Sequence, residues 1–253
     1  MGIKYKTPAE IEKLRAANLV VREVLDAMGA MVEPGVTTGQ MGDRAAEMVR
    51  DHGVIPSFLN YGDPPFPSVI CISVNDEIVH GIPRHDRVIK EGDIVSVDFG
   101  VEKDGYCGDS ARTFAAGEVS ATARRLMQVT REALERAIAQ CVVGNRIRDI
   151  GRAVQEHVEA NGFNVVRTFV GHGIGREMHE QPAVPNFVST GANPRLKEGM
   201  VIAIEPMVNE GVPDVTVDPI DHWTARTRDG KLSAHFEHSV AITAAGPRVL
   251  SGP

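Results

Sequence analysis

Apolar residues recur at helical spacing from Ile11 through Leu14, Val21, Val24, Leu25 and Met28. Thr7-Pro8-Ala9-Glu10 in front of them is a capping box with proline at the first helical position, and Glu33-Pro34-Gly35 stops the run. A second helix is predicted over about 38–52, with Gly53 as its cap. Short apolar runs then predict strands over 68–74, 93–99 and 110–115. Past Gly117 helical spacing returns over about 121–142 and 147–160, and strands follow over 164–170, 200–208 and 233–243. No linker-like or low-complexity stretch interrupts this order.

The order helix, helix, strands thus occurs twice, and the residues repeat with it. Residues 34–53 laid on 143–162 match at Gly35/Gly144, Gly42/Gly151, Glu47/Glu156, Val49/Val158 and Gly53/Gly162, an offset of 109. Lys90–Asp98 then lies on Lys197–Glu205 at an offset of 107, and each half closes a strand with Ala-Ala-Gly, at 115–117 and 244–246. Three matches in one order at nearly constant offset predict two related halves, about 1–117 and 118–253, packed as one domain over 1–253. The fold class expected is α+β.

Composition narrows the function. The chain has 253 residues, enough for a sizeable core without a covalent staple. Its net charge of −7, with no basic run, disfavours nucleic acid as the principal partner. Cys71, Cys107 and Cys141 are odd in number and form no C-x-x-C, against a disulfide framework or a structural zinc site. Lys4 and Lys6 are followed by no apolar run, and no apolar stretch approaches the length of a membrane span. A cytoplasmic location and no membrane partner are therefore expected.

The chemistry lies in acids that interrupt apolar strands. The repeat superimposes Asp98 on Glu205, and an ionised carboxylate there needs a counter-charge or must protonate. Asp98 and Asp109 flank a turn near Lys103-Asp104-Gly105. A turn centred on Lys103-Asp104 sets them directly opposite, whereas an Asp104-Gly105 turn pairs Asp98 with Ala111. Either register puts both acids on one face, about 5–8 Å apart. Glu205 and Glu237 repeat the arrangement across a longer connection. Two halves packed about a pseudo-two-fold would bring four carboxylates together, a cluster that repels itself unless cations neutralise it. Such an oxygen-rich site suits two divalent ions, which activate water for attack on a carbonyl or phosphoryl group.

Other residues discriminate less. Glycines on both sides of His172 let the backbone approach a ligand, but Gly171–Gly175 has neither the spacing nor the Lys-Ser/Thr of a phosphate loop. His80 and His179 sit beside turn residues. His235 and His238 flank Glu237, and packing or support roles suit them better than ligation. Cys71 reads as a small buried residue, and Trp223 as either a loop plug or a pocket wall. No G-x-S-x-G elbow is present, which disfavours a serine hydrolase.

Six stretches nevertheless resemble one family. They are Cys71–Pro83 (CISVNDEIVHGIP), Gly92–Gly100 (GDIVSVDFG), Asp104–Asp109 (DGYCGD), Gly171–Pro182 (GHGIGREMHEQP), Gly199–Pro206 (GMVIAIEP) and Ser233–Ser239 (SAHFEHS). Spaced in order over nearly the whole chain, they resemble the bacterial-type, type I methionine aminopeptidases. The resemblance implies the pita-bread fold, two pseudo-symmetric helix-helix-strand halves around a central antiparallel sheet. It also implies a dinuclear metal site of Asp98, Asp109, His172, Glu205 and Glu237. Asp109 and Glu237 would bridge, Asp98 would chelate one ion, and His172 with Glu205 would complete the other.

His80 and His179 match the family's two non-ligand histidines, which contact the substrate and the tetrahedral intermediate. Phe66, Cys71 and Trp223 match the wall of the methionine pocket, and Glu205 matches the candidate proton shuttle. Cys107, Phe66 and His235 depart from the commoner His, Tyr and Gln at their positions, and 57–67 matches only loosely. The expected reaction is removal of the initiator methionine from nascent polypeptide N-termini when the next residue is small. It would use two divalent ions (Co, Mn, Fe or Zn), in a monomer for which a transient ribosome contact is allowed. The rivals are a proline-directed relative, which usually carries a further N-terminal domain, and a pita-bread module that binds peptides after losing its ligands.

Overall fold

The computed structural model describes residues 2–252; Met1 and Pro253, the ends of the expected domain, lie outside the described residues. Among the described residues four helices form: α1 (Pro8–Met31), α2 (Thr38–His52), α3 (Ala121–Ala139) and α4 (Ile147–Ala160). At the start of α1, Thr7 Oγ1 accepts from the Glu10 amide, and the Thr7 amide donates to the Glu10 carboxylate at 2.9 Å. Thr37 and Gln40 build the same box at α2, which ends on Gly53 at φ 61°. Helix α3 stops three residues before its apolar pattern does, because Cys141 is buried from a turn rather than from the helix.

The longest strands, Ile94–Lys103 and Tyr106–Ala115, form one hairpin around Asp104-Gly105. Both turn residues have positive φ, 53° and 75°, as a two-residue turn that matches strand twist demands. Of the two registers the sequence allowed, this turn selects Asp98 opposite Ala111 and Asp109 opposite Gly100. Alternation then sorts the side chains. Val95, Val97, Phe99 and Val101 pack against α1 and α2, while Ser96, Asp98 and Gly100 face the other way.

The second half repeats the register. Ile55 and Pro56 pair with Glu102 and Val101; Asn164 and Val165 pair with Asn209 and Val208, at the same offsets of 109 and 107. Even an isolated bridge recurs, Thr37 with Val88 and Arg146 with Arg195. In this half Ile202, Ile204 and Val208 pack against α3 and α4, leaving Glu205 on the opposite face.

Among the described residues all pairing is antiparallel, as expected, with the strands hydrogen-bonded in four sheets. The predicted strand 200–208 is cut into Val201–Ile204 and Met207–Asn209, because Pro206 offers no N–H to a ladder. The predicted strand 233–243 likewise splits into Ser233–His235 and His238–Thr243, and Glu237 between them donates its amide to Ala111 of the first half at 2.8 Å. Thr113 Oγ1 donates to the His235 carbonyl at 2.8 Å, and Ser239 Oγ to that of Asp109 at 2.9 Å. The two halves are thus stitched along the strands that carry Asp109 and Glu237. The predicted strand 164–170 shrinks to Asn164–Val165.

Helix α4 carries a glycine where helix propensity argues against one. A Cβ on Gly151 would stand 2.6 Å from the Pro185 carbonyl oxygen and closer still to that of Phe187. Both obstacles are backbone, so they cannot rotate away. Gly151→Ala is expected to destabilise the protein by about 1–3 kcal/mol, although alanine is favoured in an open helix by about 1 kcal/mol. Urea unfolding of the two proteins at equal metal content measures this, and a more stable variant would contradict the packing described.

Candidate metal centre and its cavity

The inner faces of the two halves enclose a cavity of about 350 Å³. All five residues expected as ligands line it: Asp98, Asp109, His172, Glu205 and Glu237. His80, His179, Phe66, Cys71 and Trp223 line it too, so all ten residues expected at the site share one space, whereas His235, His238, Cys107 and Cys141 do not line it. Asp109, His172 and Glu237 each present a ligand atom, all within 4.8 Å of one another. His172 Nε2 is 3.6 Å from Asp109 Oδ2 and 3.6 Å from Glu205 Oε1. Asp98 reaches the group diagonally through the hairpin register. Gly100, opposite Asp109, leaves the room for it: a Cβ there would lie 3.2 Å from Asp109 Oδ1 and 2.6 Å from the Met178 methyl.

The electrostatics are severe. Asp109 and Glu237 are buried, and Asp98 Oδ1, Asp109 Oδ1 and Glu237 Oε1 are buried without any hydrogen-bond partner. Burial first, then repulsion from Asp109, holds the Asp98 carboxyl well above the usual range. Burial also raises Asp109, and burial with the neighbouring carboxylates raises Glu205 and Glu237. Among the described residues, no lysine or arginine lines the cavity. Unpartnered carboxylate oxygens from both halves, aimed into one space beside an imidazole, have the donor chemistry that divalent cations require.

The histidines are neutral by burial. His80 and His179 are each pushed down to about 4, with a smaller push on His80 from His179 and on His179 from His172. His235, at about 3, is driven by burial and then by His80; its Nε2 lies 3.9 Å from Glu205 Oε2 and finds no other partner. His238 turns away and bonds Ser251 Oγ at 2.7 Å. His80 adopts a left-handed backbone, φ 61°, with its ring edge-on to Phe169 at 5.3 Å and to Trp223 at 5.9 Å.

Trp223 belongs to the second half yet walls the first. Ala225 pairs with Val79, and Arg226 bonds Asp76 and Glu77, at 3.0 and 2.9 Å. Trp223 then meets Phe66 edge-on at 5.2 Å, and its indole donates to the Pro64 carbonyl at 3.0 Å. The Trp223 ring thus lines the cavity. Cys71 lies opposite Asp98 in the register, buried, with burial as the main cause of its raised thiol pKa.

Further lining residues went unread in the sequence, among them Tyr61, Phe169, Met178 and Met207. Phe169, Met178 and Met207 lie within three residues of His172, His179 and Glu205, a proximity that could have flagged them. Tyr61 sits in the loosely matching 57–67 segment and carried no such signal.

This fold and cavity define a class, the metallopeptidases of pita-bread architecture. The chain belongs to metallopeptidase family M24, whose model matches residues 12–244. The methionine aminopeptidase of Clostridium acetobutylicum is 48% identical over 249 residues, 98% of each chain. The crystal structure of the methionine aminopeptidase of Thermotoga maritima is 43% identical, covers 100% of both chains and superposes with a TM-score of 0.95. A prolidase from Pyrococcus furiosus shares the fold at TM-score 0.79 but only 23% identity, and this chain spans 65% of it.

Burial makes stability depend on pH in opposite senses. The buried histidines bind fewer protons folded than unfolded between about pH 4 and 6.5, so their contribution rises with pH there and then levels off. The carboxyls are raised, so the folded state holds protons that the unfolded state has lost, and stability falls as pH climbs toward their folded values. Above about pH 6.5 only the second effect remains. Once the histidine effect has levelled off, metal-free protein should therefore melt at progressively lower temperature as pH climbs toward the raised carboxyl values, and saturating divalent cation should remove that slope. A metal-free melting temperature that is flat or rising over this range would contradict the buried cluster.

Proposed function

We propose that this chain is a metal-dependent methionyl aminopeptidase that removes the initiator methionine from nascent polypeptides when the second residue is small. The observation that carries the reading is that acidic donors with unsatisfied oxygens and an apolar, aromatic wall share one cavity. The names of the relatives, at 48% and 43% identity over essentially the whole chain, support the substrate class.

In this reading Asp98, Asp109, His172, Glu205 and Glu237 would hold two divalent ions of the Co, Mn, Fe or Zn type. When bound, the ions supply polarisation of the scissile carbonyl and a water of lowered pKa. Phe66, Cys71 and Trp223 take the methionine side chain at the aromatic end of the cavity. His80 and His179, kept neutral by burial, present N–H groups to the substrate and to the oxygen on which charge develops. Glu205 carries the proton from the attacking water to the leaving amine. Residues 1–253 act as one catalytic domain, a cytoplasmic monomer whose partners are polypeptide N-termini, with a transient ribosome contact and no nucleic acid or membrane ligand of its own. No helix among the described residues is long and apolar enough to cross a membrane.

Hydrolysis of a Met-Gly peptide against a Gly-Pro peptide, with Mn²⁺ or Co²⁺ and after chelation, tests the assignment. The expected result is metal-dependent release of methionine, Gly-Pro untouched, and loss of nearly all turnover and of the second ion in Asp109→Ala. Cleavage of Gly-Pro in preference to Met-Gly would replace it with the proline-directed reading. His80→Ala and His179→Ala should each keep both ions and the melting temperature while kcat drops by about 10²–10³; wild-type turnover in both would remove the histidines from the chemistry.

A further inference from the structure

His172 and His179 lie with their ring centroids 4.3 Å apart, yet their Nδ1 atoms meet partners of opposite kind. His172 Nδ1 is 2.9 Å from the Gly173 carbonyl oxygen. A carbonyl only accepts, so the proton resides on Nδ1 and Nε2 keeps the lone pair it turns toward Asp109 and Glu205. His179 Nδ1 is instead 2.9 Å from the hydroxyl of Tyr61, a group that can donate.

The loop holds Tyr61 in place. The Tyr61 amide donates to the Phe58 carbonyl at 3.0 Å, and the Phe66 amide returns to the Tyr61 carbonyl at 2.8 Å. The Asn60 amide also bonds the Phe66 carbonyl, at 2.9 Å, so the loop closes on itself. Trp223 pins its far side through Pro64. The Tyr61 ring packs 5.4 Å from the imidazole of His179, and both side chains line the cavity.

We propose that Tyr61 is a positioning residue for His179: its hydroxyl donates to Nδ1 and so fixes the imidazole as the tautomer protonated on Nε2. A neutral imidazole without such a partner divides between two tautomers, and one of them offers the substrate a lone pair instead of an N–H. Two adjacent histidines then carry opposite tautomers, a lone pair toward the acids and an N–H for the substrate oxygen. The catalytic consequence rests on the aminopeptidase reading above; the tautomer does not.

Imidazole ¹⁵N spectra of the metal-free protein, with the His179 signals assigned from a His179→Gln variant, read the tautomer without substrate or turnover. His179 should be protonated on Nε2 in the wild type and should shift toward the Nδ1-protonated form in Tyr61→Phe. With metal restored, Tyr61→Phe should keep its melting temperature and KM while kcat falls about 10–100-fold, the usual cost of losing an orienting partner. Nδ1-protonated His179 in the wild type, an unshifted tautomer in Tyr61→Phe, or unchanged kcat would each overturn the proposal. So would a kcat that falls only in step with melting temperature. Failure of the aminopeptidase reading itself shows separately, as wild-type protein that releases no methionine.

Discussion

Four carboxyl groups stand around a cavity that, among the described residues, no lysine or arginine lines, and most of the architecture serves to put them there. Two come from a hairpin of the first half, two from an interrupted pair of strands in the second, and the halves are sewn together between them. An uncompensated cluster of this kind would oppose folding, since each ionised acid loses its hydration and faces the others. The interior tolerates it by holding protons or by holding cations. Which of the two it holds decides whether the protein is inert or chemically competent.

The pseudo-symmetry supplies the cluster, and departures from it supply the chemistry. The register of Ile55 with Glu102 recurs as Asn164 with Asn209, so the strands arrive at the dyad in the same way from both sides. At the dyad they differ. Asp98 lies within an unbroken ten-residue strand, whereas Glu205 sits at a break made by Pro206. The second half also contributes His172, His179 and the Trp223 segment, which crosses to pair Ala225 with Val79. A symmetric frame therefore encloses an asymmetric cavity, lined by acids and by aromatic rings together.

Much of this was legible in the sequence because it is local. The capping box at Thr7, the glycine stop at Gly53 and the bounds of α2 and α4 follow from short-range rules that burial does not override. The repeat was legible because its glycines and its Lys-Glu-Gly turns survive side by side in one chain. The acids stood out because they interrupt apolar runs. The hairpin register was narrowed to two alternatives, and the positive φ of both Asp104 and Gly105 decided between them. What could not be read is what depends on distant partners: the bend at Glu237 toward Ala111, the passage of Trp223 onto Phe66, and the meeting of Tyr61 with His179 across 118 residues. None of these has a local pattern to announce it.

The central claim is that protonated acids at the dyad exchange their protons for cations. Calorimetric titration of metal-free protein with Mn²⁺ near pH 7, repeated in buffers of different ionisation enthalpy, counts both the ions bound and the protons released. Two ions per chain with net release of protons are expected, because burial and the neighbouring carboxylates hold these carboxyls well above their usual range before metal arrives. Binding of two ions without proton release, or no saturable binding at all, would contradict it.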